Sequence, residues 1–190
     1  MTELVKKFEI KEVLPCFTTP GYIRFTAEAD QKFDEVIPII FLKFPPGKAN
    51  YSASENKLTL RIWNRLVTFH PSGEVAVTNT KDRKEAEEVL EKLRNIINGA
   101  YEDYLRYGQP SQQDINVAKK ISWTDIYDSL PKINCGRCGF QVCSTFALTV
   151  LQGKAKLAQC TPLKEPEYSL NLKEIKEKLG SFLLHALGWE

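Results

Sequence analysis

The chain has 190 residues, of which 43% are hydrophobic and 26% charged, a composition that allows one or two modest soluble domains. Lys and Arg number 26 and Asp and Glu 24, so the formal net charge of +2 excludes a strongly basic binding protein. The first residues lack the apolar core of a signal peptide, and no stretch approaches the ~20 apolar residues of a spanning helix, so we expect a cytoplasmic protein without membrane insertion.

Residues from 22 to about 80 have the pattern of a β-rich unit. A short early helix is predicted over 33–42, within which Pro38 disfavours a regular helix. Strands are then predicted by period-two alternation in the run KLTLRIW over 57–63, in RLVTF over 65–69 and in EVAV over 74–77. Short loops between them, such as His70-Pro71-Ser72-Gly73, indicate tight turns. The pattern therefore predicts an antiparallel meander.

A long helix closes this unit. From Asp82 to Tyr107 the apolar residues are spaced by threes and fours, the period of an amphipathic helix. Asp82 with Glu85 resembles a capping box at the start, and Gly108 followed by Pro110 supplies the stop.

The β-rich unit resembles one half-repeat of the TATA-box-binding protein fold. The resemblance rests on YIRFTAEAD as a first strand, a helix ending before Phe44-Pro45-Pro46-Gly47, the hairpin from ANYSA to KLTLRIW, and VTFHPSGEVAVTNTKDRKEAEEVLEKL as strand, turn, strand and helix. It implies an antiparallel sheet packed on helices. That family joins two tandem halves into a saddle for DNA. Only one copy occurs here, so a saddle would require a homodimer or another partner.

A second domain is expected after a linker. The polar segment QPSQQDINVAKKI over 109–121 is predicted as that linker. The resulting division is an α+β docking or dimerisation domain over 1–108, the linker, and a small, mainly α domain over 122–190. Helices of the second domain are predicted over 122–130, 142–152 and 171–187.

The second domain contains four of the five cysteines: Cys135, Cys138, Cys143 and Cys160. Their spacing is C-x2-C-x4-C-x16-C, and in a reducing compartment such a group favours metal binding or redox chemistry over disulfides. Zinc and an iron–sulfur cluster both accept four thiolates. Structural zinc sites usually have two short knuckles, whereas this sequence has one, so the spacing favours iron–sulfur and zinc stays as the alternative.

Residues next to the cysteines support this interpretation. The backbone N–H groups of Gly136 and Gly139 are expected to point at sulfur and tune a cluster. An apolar wall that excludes water is expected from Phe140, Phe146, Val150 and Leu151. A basic surface for an acidic redox protein, or simply a solvated one, is expected from Lys132, Arg137, Lys154 and Lys156. Cys16 is expected to be a buried small hydrophobe, with a reactive thiol as the alternative.

The stretch LPKINCGRCGFQVCSTFALTVLQGKAKLAQCTPL resembles the small four-cysteine [4Fe-4S] domain of the corrinoid iron–sulfur protein large subunit. It is similar also to that of the B subunit of ion-pumping electron-transport complexes. The resemblance implies that Cys135, Cys138, Cys143 and Cys160 hold one [4Fe-4S] cluster. It also implies single-electron transfer to a redox protein, a metalloenzyme or a corrinoid protein.

Motifs for nucleotide binding or hydrolysis are missing from the sequence, so no residue is predicted to be catalytic and an electron-transfer or accessory protein is favoured over an enzyme. Two alternatives from other classes stay open. One is a cluster-dependent regulator that binds nucleic acid, which the near-neutral charge disfavours. The other is a structural interaction module that binds zinc.

Overall fold

Six strands form a single antiparallel sheet in the computed structural model, which describes residues 3–189. In chain order the strands are β1 (Phe8–Pro15), β2 (Ile23–Ala29), β3 (Ala49–Ser52), β4 (Lys57–Ile62), β5 (Arg65–Phe69) and β6 (Glu74–Thr80). Their order across the sheet is β1-β2-β6-β5-β4-β3, and every neighbouring pair is antiparallel. The α+β class predicted from the sequence is confirmed.

The α-helices of the described chain are α1 (Ile37–Lys43), α2 (Arg83–Tyr107), α3 (Gln112–Lys120), α4 (Trp123–Asp128), α5 (Cys143–Leu151) and α6 (Ser169–Ala186). Between residues 3 and 189, no helix is long and apolar enough to cross a membrane. The chain divides into two compact units. The first runs to Phe41 and resumes over Ala49–Pro110; the second comprises Leu42–Lys48 and the chain from Ser111 onward.

Alternation along the strands produces the core of the first unit. Leu58, Leu60 and Ile62, predicted to share one face of β4, are all buried, as the period of two requires. Helix α2 buries a stripe against this core that includes Val89, Leu93 and Ile97. The start and stop of α2 follow the prediction: Asp82 Oδ1 accepts a hydrogen bond from Glu85 N at 2.9 Å, and Gly108 ends the helix.

Strand β1 is an element that the sequence patterns did not predict. Its pairing with β2 shifts between Ile10 and Glu12, and this bulge breaks the alternation that identifies a strand. The segment before it is fastened to α2, because the N–H groups of Leu4 and Val5 donate to Asn98 Oδ1 at 3.0 and 2.9 Å. Since β1 precedes residue 22, it lies outside the resemblance to a half-repeat of the TATA-box-binding protein, which stays a prediction.

The segment predicted as a polar linker, 109–121, contains helix α3 instead. Ser111 and Asp114 form a complete capping box: Ser111 Oγ accepts from Asp114 N at 3.1 Å, and Asp114 Oδ2 accepts from Ser111 N at 3.0 Å. Ile115 and Ala118 are buried. Two buried apolar residues are too few to produce a recognisable helical period in the sequence. The capping box, in contrast, is a strong local signal for the start of a helix.

The final helix also differs from its prediction. The stripe over 171–187 predicts one continuous helix, but α6 is broken at Gly180, where φ is 68° and ψ is 169°. Ile175 before the break and Leu183 after it are both buried, so the two segments still present their apolar faces inward. A Cβ at Gly180 would lie 3.2 Å from Asp114 Oδ1, which places the break beside the start of α3.

The cap of α3 gives a test of the second unit. We expect Ser111→Ala to lower the free energy of unfolding by ~1 kcal/mol, because the Asp114 N–H in the first turn of α3 loses its acceptor, Ser111 Oγ. Urea denaturation followed by circular dichroism measures the change. Ser111→Asn, which keeps a capping oxygen, is the matched control and should stay close to wild type. Equal midpoints for the wild type and Ser111→Ala would contradict this account.

Candidate metal centre

The four clustered cysteines all belong to the second unit. Cys135 and Cys138 lie on the loop between α4 and α5, Cys143 is the first residue of α5, and Cys160 lies between two short 3-10 helices, Leu157–Gln159 and Thr161–Lys164. Their exposure falls in that order. Cys135 is exposed and Cys138 half-buried, whereas Cys143 and Cys160 are only 8% and 5% exposed.

A tight turn shapes the first pair of cysteines. Gly136 O accepts a hydrogen bond from Gly139 N at 2.9 Å, which puts Arg137 and Cys138 at the two central positions of the turn. Both glycines have positive φ, 72° and 88°, where a side chain would strain the backbone. A Cβ built on either would meet no atom within 4 Å, so the space beside the turn is open. The expectation that the Gly139 N–H points at sulfur is wrong, because it donates to Gly136 O.

Asn134 connects this turn to the helix that carries Cys143. Its side-chain Oδ1 accepts a hydrogen bond from Cys143 N at 2.9 Å, while the local N-cap residue Val142 provides no side-chain cap. Asn134 therefore caps α5 from nine residues upstream. It has a φ of 49°, a left-handed conformation that asparagine tolerates better than most residues. The cap thus fixes Cys135 relative to Cys143.

Arg137 acts on the neighbouring Cys135. Its backbone N–H and then its guanidinium hydrogen-bond to the thiol and lower the pKa of Cys135 below the usual value. The guanidinium also pairs with Glu165: Arg137 Nη1 to Glu165 Oε1 is 2.6 Å and Nη2 to Oε2 is 3.4 Å. The pKa of Arg137 is correspondingly raised.

These pairs change the expected basic surface. Arg137 is paired with Glu165, and Lys132 Nζ lies 3.0 Å from Asp128 Oδ1. Two of the four cations predicted to attract an acidic partner are thus already paired within the protein. A docking site based on charge alone is accordingly weaker than the sequence indicated.

Cys160 lies in the most buried environment of the four thiols. Burial is the main cause that raises the pKa of Cys160 to about 11; a hydrogen bond from Leu163 N–H opposes the shift, and the charges of Cys138, Cys143 and Cys135 add to it. The other three thiols are therefore electrostatic neighbours of Cys160. Among residues 3–189, no three or more His, Cys, Asp or Glu side chains are arranged to hold a metal ion as they stand.

The four residues expected to form an apolar wall are buried or half-buried, and two of them are in contact. The rings of Phe140 and Phe146 pack with their centroids 5.6 Å apart and an interplanar angle of 51°. Phe146 and Val150 are buried, and Phe140 and Leu151 are half-buried. The donor set of four soft thiols next to aromatic and aliphatic side chains fits an iron–sulfur cluster.

The fifth cysteine, Cys16, belongs to the first unit and follows β1. It is half-buried, so the expectation of a buried small hydrophobe is wrong. Its Sγ lies 3.5 Å from Thr18 Oγ1. That hydroxyl, followed by the Thr18 backbone N–H, lowers the pKa of Cys16 from 9.0 to about 7.

Comparison with known proteins identifies relatives of the cysteine-bearing segment. Residues 130–162 match the family described as "Putative Fe-S cluster". The gamma subunit of the acetyl-CoA decarbonylase/synthase complex of Methanocaldococcus jannaschii shares 46% identity over 64 residues; the alignment covers 34% of this chain and 13% of the subunit. The gamma subunit of Archaeoglobus fulgidus shares 36% identity over 58 residues, which cover 28% of this chain and 12% of the subunit. The corrinoid/iron-sulfur protein large subunit of Moorella thermoacetica shares 50% identity over 40 residues, which cover 21% of this chain and 9% of the subunit.

These similarities are local. The chain spans about a tenth of the length of each of these three relatives. The family match spans all four cysteines and supports an iron–sulfur cofactor on this segment. No solved structure matches the chain.

The cap from Asn134 can be tested directly. We expect Asn134→Ala to speed amide exchange at Cys143 by about tenfold, because a hydrogen bond worth ~1 kcal/mol is lost and alanine disfavours the left-handed conformation. Hydrogen-exchange NMR measures this rate. Asn134→Asp retains the acceptor and should leave the rate near that of the wild type. An unchanged rate in Asn134→Ala would show that Asn134 does not cap α5.

Cys16 gives a prediction of pH dependence. Since its folded pKa is about 7, the rate of alkylation at Cys16 should rise with pH around a midpoint near that value. Thr18→Val removes the hydroxyl that stabilises the thiolate, so the midpoint should move toward 9.0 and the rate at pH 7 should fall several-fold. Mass spectrometry of the peptide gives the rates. Thr19→Val is the control, since Thr19 acts through its backbone N–H; a wild-type midpoint near 9.0 would refute the prediction.

Proposed function

We propose that this protein holds one [4Fe-4S] cluster on Cys135, Cys138, Cys143 and Cys160 and transfers single electrons to a partner protein. The observation that carries the proposal is that the four thiols, which lie on a loop, at a helix start and on a returning loop, all belong to one compact unit. The electrostatic influence of three of them on Cys160 supports it. So does the family match, which spans the same four residues.

The surroundings suit a negatively charged cofactor. When bound, such a cluster supplies a reversible one-electron couple. Cys143 is the first residue of α5, where the helix dipole favours negative charge. Phe140 and Phe146 exclude water from one side. The asparagine cap joins the loop that carries Cys135 to the helix that carries Cys143.

The exposure of the ligands gives the electron path a direction. Cys135 is exposed, whereas Cys143 and Cys160 are buried. Electrons would therefore enter and leave through the Cys135 edge of the site. Two exposed apolar residues, Ile133 and Val142, directly precede Asn134 and Cys143, which are joined by a hydrogen bond, so both lie at the same end of the loop. Such an uncharged surface suits a weak, transient redox contact.

The names of the relatives support a proposal for the partner. Their names describe an acetyl-CoA decarbonylase/synthase complex and a corrinoid/iron-sulfur protein. We infer that the partner here is likewise a metalloenzyme or a corrinoid protein. This inference rests on the shared cysteine segment, which covers about a third of the chain at most.

The first unit is proposed to be the docking or homodimerisation module, related to a half-repeat of the TATA-box-binding protein. Support comes from the order β2-β6-β5-β4-β3, with α1 following β2 and α2 following β6. Across four strands, the register aligns Thr26, Ala76, Thr68 and Thr59 in a row of small, half-buried residues. A flat row of this kind can be covered by another surface without burying charge.

Anaerobic reconstitution tests the proposal. We expect about four irons and matching sulfide per chain, with broad visible absorption that bleaches on reduction by dithionite. Cys138→Ser should lose most of that absorption. Cys16→Ser, which removes a thiol of the first unit, should retain it and serves as the matched control.

Two results would overturn the proposal. One is a colourless protein that binds zinc tightly, which would make the centre a structural site. The other is equal iron content in Cys138→Ser and wild type, which would remove Cys138 from the ligand set. Electron paramagnetic resonance of the reduced protein distinguishes a four-iron cluster from smaller ones.

A further inference from the structure

A chain of contacts runs from Glu165 through Arg137 to Cys135. The Arg137 guanidinium pairs with both carboxylate oxygens of Glu165, at 2.6 and 3.4 Å, and also hydrogen-bonds to the Cys135 thiol. Cys135 is the most exposed of the four clustered cysteines. The contact chain therefore places a permanent positive charge at the outer edge of the centre.

Both ends of the ion pair are held by their own backbones. Arg137 occupies a central position of the turn closed by Gly139 N and Gly136 O. Glu165 N donates to Pro162 O at 2.9 Å, and Glu165 O accepts from Tyr168 N at 3.0 Å, so two successive turns fix the backbone of Glu165 relative to Cys160. Because the guanidinium is planar and both backbones are held, the ion pair costs little side-chain conformational entropy. The pair thus joins the Cys135 turn to the segment after Cys160.

Other charged groups lie nearby. Lys132 is three residues from Cys135 but pairs with Asp128. The pKa of Tyr168 is raised, first by burial and then by the charges of Glu167 and Glu165, while Arg137 opposes the shift. Among these groups Arg137 is the cation that contacts a thiol, and it is the one whose removal should change the energy of a charge at Cys135.

We propose that Glu165 holds Arg137 against Cys135, and that Arg137 is a positioning residue that raises the midpoint potential of the bound cluster. The inference deepens the proposed function and rests on it. Reduction moves one electron from an external one-electron reductant to the cofactor; the reductant is oxidised by one electron, no bond breaks and no proton is taken up. The reduced form carries one more negative charge, so a fixed cation beside a ligand favours it.

The test compares two charge deletions on one loop. Full-length protein is loaded anaerobically, and its midpoint potential is measured by dithionite titration followed with electron paramagnetic resonance. Arg137→Gln should shift the potential to a more negative value. Lys132→Gln, the matched control, removes the same charge from the same loop and should shift it much less. Arg137→Lys, which keeps the charge without the fork, should recover part of the difference.

Glu165 is tested through non-additivity. If Glu165 holds Arg137 in place, the shift caused by Arg137→Gln should be smaller in a Glu165→Gln background than in wild type. The shift should also shrink as ionic strength rises, since both side chains are partly exposed. A shift that is the same in both backgrounds would show that Glu165 has no positioning role.

The possible outcomes separate this inference from the proposed function. Wild-type protein without iron and sulfide overturns the proposed function. Loaded protein in which Arg137→Gln and Lys132→Gln have equal potentials overturns the positioning role alone. If Arg137→Gln does not bind the cluster, amide exchange is measured in the iron-free protein instead. Faster exchange at Tyr168 N in Arg137→Gln but not in Lys132→Gln supports the positioning contact between Arg137 and Glu165. Equal exchange in the two variants rejects it.

Discussion

Four thiols are spread over 26 residues of a region with little regular structure. The hydrogen bond between Asn134 and Cys143 connects the loop that carries the first two of them to the helix that carries the third. It satisfies the first amide of α5, which the local N-cap leaves without a side-chain partner. It also fixes the direction in which the chain enters the Cys135–Cys138 turn. The contact thus links the turn that carries Arg137 to the start of the helix that carries Phe146 and Val150.

Much of the fold follows from local patterns. The strands β4 to β6 and helix α2 were predictable because alternation, tight turns and a capping aspartate each act over a few residues. The four cysteines were identified because thiols at short fixed spacing are rare by chance. What the sequence could not provide was the environment of each thiol, since burial of Cys160 and exposure of Cys135 depend on how the loop packs.

The elements that escaped prediction share a physical cause. β1 contains a bulge that disrupts its alternation, and α3 has only two buried apolar residues. Glu165 lies 28 residues from Arg137, and no local motif marks such a pair. The roles of Asn134 and Glu165 became apparent only from contacts between segments that are distant in sequence. Four cations near the cysteines in sequence likewise suggested a basic surface, whereas the folded chain pairs two of them internally.

The division of the chain has a consequence for how the cysteine segment can be isolated. The second unit includes Leu42–Lys48, where Lys48 Nζ donates to Gly153 O at 3.2 Å, although the residues on either side of that segment belong to the first unit. The second unit is therefore discontinuous in sequence. A fragment that starts at Ser111 would lack Leu42–Lys48 and the hydrogen bond to Gly153 O.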